Sequence, residues 1–141
     1  AHFRQYQKNT VVNAKTLADS LQEHGLDLVS GGTDNHLMLV NLTRLGITGR
    51  DAEMALGRAG ITVNKNAIPF DPLSPHVTSG IRIGTPFVTS RGMMAEQMTI
   101  IGELIAEVLR NPSSETLLKK TRDGVQALCD AFPLYSRTDE P

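Results

Sequence analysis

Leu26-Asp27-Leu28-Val29-Ser30-Gly31-Gly32-Thr33-Asp34-Asn35-His36-Leu37-Met38-Leu39-Val40-Asn41-Leu42 is the stretch that decides the fold. Leu26, Leu28 and Val29 make a short strand that ends in the turn Ser30 to Asp34, and Leu37 to Leu42 reads as a second strand. Two glycines between them favour a tight connection, and this hairpin-like spacing argues for a largely antiparallel sheet.

Upstream, Ala14, Leu17, Ala18 and Leu21 recur at i, i+3, i+4 and i+7, which sets one face of an amphipathic helix against a core. Gly25 stands where that helix should stop. Phe3 and Tyr6 already fit the helical pattern, with no capping residue and no initiator Met before them, so the chain is expected to begin partway through a longer protein. Downstream, Thr48 can cap a second helix with Asp51 three residues on. Ala52, Ala55, Leu56 and Ala59 form its buried face, and Gly60 ends it. Ile61 and Val63 alternate with Thr62 and Asn64 as a half-buried strand should. Pro69, Pro72 and Pro75 make residues 66–79 an ordered but irregular loop, the kind of segment that carries function.

Ile81 and Ile83 flank Arg82 in a further strand. A third helix carries Met94, Met98, Ile101, Ile105 and Val108 as its stripe and stops at Asn111-Pro112. Ser113 or Ser114 caps a last helix with the stripe Leu117, Thr121, Val125, Leu128 and Phe132, weakened by Gly124. The residues from Ser136 to Pro141 read as a frayed tail. Helices alternating with short strands give an α/β fold. It is a small two-layer α/β sandwich with a short, mostly antiparallel sheet of three or four strands and helices packed on it, one domain over residues 1–141.

The 141 residues are 40% hydrophobic and 21% charged, as suits one soluble domain, and the formal net charge is -1. No charge run exceeds Lys119-Lys120, so no nucleic-acid surface is present in the sequence. The longest apolar stretch, Leu37 to Val40, is too short to span a bilayer. The single cysteine, Cys129, excludes a disulfide framework within the chain and reads as a buried structural thiol in a reducing compartment. His2, His24, His36 and His76 lie far apart, with no pair at metal-ligand spacing. Residues 30–33 lack the spacing and the lysine of a phosphate loop, and no nucleophile elbow exists.

Arg82 is the first candidate for chemistry. Period-two alternation sends it to the sheet face opposite Ile81 and Ile83, and a planar guanidinium between Gly80 and Gly84 suits a carboxylate or phosphate. Pattern alone favours a solvated arginine on an exposed face. Asn64, Lys65 and Asn66 enter the proline loop, where amides can meet the edge of a heteroaromatic ring, although asparagine is also a common loop-entry residue.

Three stretches go beyond pattern: Ser30-Gly-Gly-Thr-Asp-Asn-His36, Gly60-Ile-Thr-Val-Asn-Lys-Asn66 and Val77-Thr-Ser-Gly-Ile-Arg-Ile-Gly-Thr-Pro86. In this order and spacing they closely resemble the C-terminal domain of serine hydroxymethyltransferase, over nearly the whole chain. The resemblance implies the small domain of a fold type I pyridoxal-phosphate enzyme. That enzyme interconverts serine and tetrahydrofolate with glycine and methylenetetrahydrofolate. It implies that Arg82 grips the carboxylate of serine or glycine and that Asn66 contacts the folate. The Schiff-base lysine, the pyridinium aspartate and the ring-stacking histidine of the family belong to a large domain and have no counterpart here. No residue of this chain is then catalytic, the chain alone is inactive, and its first partner is that large domain. The intact enzyme is expected to be a cytoplasmic bacterial homodimer or larger assembly. Phe87 and His76 depart from the family pattern beside the site. The competing reading is a free-standing amino-acid-binding or regulatory α/β module. The enzyme-domain reading predicts apolar surface left bare for a partner domain.

Overall fold

The computed structural model describes residues 2–29, 36–85, 88–89 and 91–133. The turn at 30–34, Pro86, Phe87 and the tail beyond 133 lie outside the described residues. Among those described, the elements run α1 (His2–Glu23), β1 (Asp27–Leu28), β2 (Leu37–Asn41), α2 (Gly49–Arg58), β3 (Asn64–Asn66), β4 (Gly80–Gly84), α3 (Ala95–Arg110) and α4 (Glu115–Ala131). The strands form one sheet in the order β1-β2-β4-β3, and every pairing is antiparallel. The helices pack against one of its faces, so the chain is the expected two-layer α/β sandwich.

Local chemistry explains most boundaries. At the end of α1, Gly25 takes φ 83°, a left-handed conformation that costs glycine little. The Thr48 hydroxyl accepts from the Asp51 N–H at 3.1 Å and starts α2. Gly60, at φ 86°, lets the Ile61 N–H reach back to the Leu56 carbonyl at 2.8 Å, closing α2 with a Schellman-type bond. The Met94 N–H is met by the Gln97 side chain at 2.9 Å at the start of α3, and the Ser114 hydroxyl accepts from the Leu117 N–H at the start of α4.

The helix faces read from periodicity are the buried ones: Ala14, Leu17, Ala18 and Leu21 on α1, and Ala52, Ala55, Leu56 and Ala59 along α2 and its end. They meet Met38 and Val40 of β2 and Ile81 and Ile83 of β4. Four expectations are corrected. The third strand, expected over residues 61–64, instead runs over Asn64–Asn66, because Ile61 is still bonded to the end of α2 and Val63 turns into the core, so pairing with β4 starts at Asn64. Met94 is 48% exposed, since it precedes α3 instead of lying on its stripe. In α4 only Leu118 and Thr121 are buried, while Leu117, Val125, Leu128 and Phe132 are half-buried. Val125 and Leu128 face a cleft of about 450 Å³, lined also by Ile61, Met98, Ile101 and Cys129, and for the same reason Cys129 is half-buried and not the buried thiol expected.

Helices α1 and α3 approach closely where Gly102 meets Ser20, whose hydroxyl donates to the Thr99 carbonyl at 3.1 Å. A Cβ at position 102 would stand 2.2 Å from the Ser20 oxygen and 2.7 Å from its Cβ. Overpacking of this kind costs about 1–3 kcal/mol, more than the roughly 0.5–1 kcal/mol that alanine gains over glycine in a helix. Gly102→Ala should therefore lower the melting temperature; a Tm equal to or above that of the parent would show that α1 and α3 separate at no cost.

Candidate functional site

Strand β4 presents its two sides to different worlds. Ile81 and Ile83 are buried beneath the helices, and Arg82 is exposed on the other face, as alternation requires. On that open face Gly80 and Gly84 flank Arg82 along the strand, so no neighbouring side chain of β4 covers it. Across the sheet, Arg82 is in register with Leu39 of β2 and Asn64 of β3. Asn66 and Asn41 both face Gly80 one row further along, and diagonal neighbours of this kind lie about 7–8 Å apart. The structure thus brings Arg82 and Asn66 onto one face, with Asn64 closer to the arginine than Asn66.

The polar groups here are partly committed. The Asn66 amide donates to the Ala67 carbonyl at 2.9 Å, and Asn41 accepts from the Thr43 N–H at 3.0 Å. Arg82 and the Asn64 side chain have no hydrogen-bond or ion-pair partner among the described residues. A weakly hydrated guanidinium set beside the exposed backbone of Gly84 and the amide of Asn64 can take a carboxylate or phosphate through two parallel hydrogen bonds. Lys65 alternates to the opposite side, in register with Ile81, and its backbone N–H donates to Glu53 of α2 at 2.8 Å.

Both ends of β4 are fastened. At its exit, the Thr85 hydroxyl donates to the Thr10 carbonyl at 2.8 Å, Thr89 to the Thr85 carbonyl at 2.7 Å, and the buried Asn13 amide to both Thr89 Oγ1 and the Met93 carbonyl at 2.9 Å. At its entry, the N–H groups of Gly49 and Arg50 at the start of α2 donate to the carbonyls of Thr78 and Val77 at 2.9 and 3.0 Å. Gly49 must be glycine there, because a Cβ would sit 2.0 Å from Thr78 Oγ1 and 2.3 Å from the Gly80 carbonyl. Thr78 itself is buried with φ 59°, a conformation that costs a β-branched residue on the order of 1–3 kcal/mol, and its hydroxyl donates to the Gly80 carbonyl at 3.0 Å.

The proline loop is irregular as expected, although Asn66, placed at its start, closes β3, and its organiser is a residue that sequence reasoning passed over. Asp71 Oδ1 accepts from the Leu73 N–H at 2.9 Å and the Ser79 hydroxyl at 2.8 Å, and Oδ2 from the N–H groups of Ser79 at 2.7 Å and Ile68 at 3.2 Å. The bond to Leu73 is an Asx-turn, which the Asp71-Pro72 pair signals in the sequence. At the tip, Phe70 is fully exposed at φ 57°. His76 is exposed in the same loop, and among the described residues no three His, Cys, Asp or Glu side chains gather as a metal site.

The fold defines a small α/β domain that carries Arg82 together with Asn41, Asn64 and Asn66 on one open sheet face. The family model for serine hydroxymethyltransferase matches residues 1–105. A serine hydroxymethyltransferase from Desulforapulum autotrophicum is 57% identical over 133 residues, which cover 94% of this chain. The chain belongs to the serine hydroxymethyltransferase family. It spans 31% of that relative's length.

Partial desolvation pushes the Asp71 carboxyl up, but the hydrogen bonds from Leu73, Ser79 and Ile68 outweigh it and hold the pKa at about 2, below the usual 3.8. A folded-state pKa below the unfolded one adds stability above pH 3.8 that is lost as the pH falls towards 2. Asp71→Asn should lower stability at neutral pH and flatten its decline across that acid window in urea titrations. A parallel decline in both proteins would show that the carboxylate does not carry this linkage.

Proposed function

We propose that this chain is the C-terminal domain of a serine hydroxymethyltransferase and supplies the amino-acid half of its active site. The reading rests on Arg82: an exposed guanidinium, flanked by glycines, without a partner among the described residues, in a chain of this family. In the intact enzyme Arg82 holds the carboxylate of serine or glycine by a bidentate pair, which orients the bond at Cα that is to break. Asn66 meets the folate from the loop side, with Asn64 beside the arginine as a further amide.

The open face fits an amino-acid carboxylate and does not fit the aldehyde of pyridoxal phosphate, which needs an amine. Lys65 alternates away from it, Lys119 and Lys120 are exposed on α4, and Lys8 and Lys15 are exposed on α1. The cofactor, which supplies the electron sink of the reaction, therefore belongs to the large domain, and this chain by itself binds it only weakly and does not turn over serine. No helix among the described residues is long and apolar enough to cross a membrane. The enzyme works in the cytoplasm as a homodimer or larger assembly. Exposed apolar side chains support a covering partner: Phe3 at 71% and Val11 and Val12 on α1, and Leu37 on the open sheet face.

In the full-length enzyme, Arg82→Ala should reduce kcat/KM for serine about 100-fold, the scale of a lost charge-assisted pair, with the melting temperature little changed because the side chain is exposed. An unchanged kcat/KM would remove the arginine from the site. Borohydride treatment of the isolated 141-residue chain with pyridoxal phosphate should leave no stoichiometric label; specific labelling of one lysine would overturn the division of roles between the two domains.

A further inference from the structure

The loop between β3 and β4 closes on one cross-strand pair, Asn66 with Gly80, and the Asp71 carboxylate sits at its neck. Of its four hydrogen bonds, one goes to Ile68, two residues after Asn66, and two go to Ser79, three residues before Arg82. The fourth, to Leu73, turns the chain between them. No other side chain among the described residues bonds both legs of this loop. Gly80 leaves no slack for the legs to settle differently, since a Cβ there would lie 2.8 Å from both the Asn66 carbonyl and the Ile68 side chain.

We propose that Asp71 is a positioning residue for the reaction: by clasping the legs of the 67–79 loop it keeps the last pair of the β3–β4 ladder, Asn66 with Gly80, closed, and so holds Asn66 on the folate side in its place beside Arg82 on the amino-acid side. The inference rests on the reading of Arg82 and Asn66 given above. Asp71 touches neither substrate. With the clasp opened, each substrate must hold the two strand ends together itself, so binding of both weakens while turnover of the bound complex changes little.

The test is steady-state kinetics of the full-length enzyme carrying Asp71→Asn, which keeps the shape but exchanges two acceptor sites for an NH2 group. KM should rise about tenfold for serine and for tetrahydrofolate together, with kcat within about threefold, at a temperature well below the variant's Tm. Ser79→Ala removes only the hydroxyl contact and should shift both constants in the same direction by a smaller factor; it also serves if Asp71→Asn does not fold. A folded Asp71→Asn enzyme with both KM values within twofold of the parent, or with only one of them changed, overturns the proposal while leaving Arg82 in place. If Arg82→Lys also leaves KM for serine unchanged, the reading of the site falls, and this inference with it.

Discussion

One-sided burial of β4 is the constraint on which the rest depends. Ile81 and Ile83 are sealed beneath the helices, and with a side-chain period of two that leaves Arg82 no choice of face. A slip of one residue would drive a guanidinium into the apolar layer and two isoleucines into water. The register with β2 and β3 is therefore held by the same apolar contacts that aim the arginine outward. The buried isoleucines and the exposed arginine occupy the two sides of one five-residue strand.

Polar contacts then fix what apolar packing leaves loose. Hydrophobic burial is non-directional, so it can hold β4 against the helices without fixing where the strand begins or ends. The direction comes from the amides at the start of α2 received by Val77 and Thr78, and from the buried chain of Thr10, Thr85, Thr89 and Asn13 at the far end. The strained backbone of Thr78 stands where the proline loop must reverse into the strand within a tightly filled space.

Helical periodicity exposed the buried faces of α1 and α2 in advance, and the hydroxyls of Thr48 and Ser114 marked the starts of α2 and α4, because these features are local. Alternation likewise placed Arg82 on its face. Strand β3 begins at Asn64, the last residue of the strand that alternation placed over residues 61–64, since its limits are set by a distant partner strand and by the cap at Gly60, neither of which alternation records. The half-open packing of α4 depends on how far the helix stands from the sheet, which a stripe of apolar residues does not encode. Asp71 was missed for another reason: its partners are mostly backbone N–H groups, which carry no residue-type signature. An anion-clamp role for Arg82 is implied only by the motif around it; alternation and exposure by themselves give a solvated side chain.

The strands at the margins of the sheet are its shortest: β1 has two residues and β3 three, against five in β2 and β4. An unpaired margin is where a stray strand from another molecule can add itself by backbone hydrogen bonding, and brevity denies it a template. The sheet can thus leave one broad face open while its outer rungs give little purchase for the edge-to-edge growth that leads to aggregates.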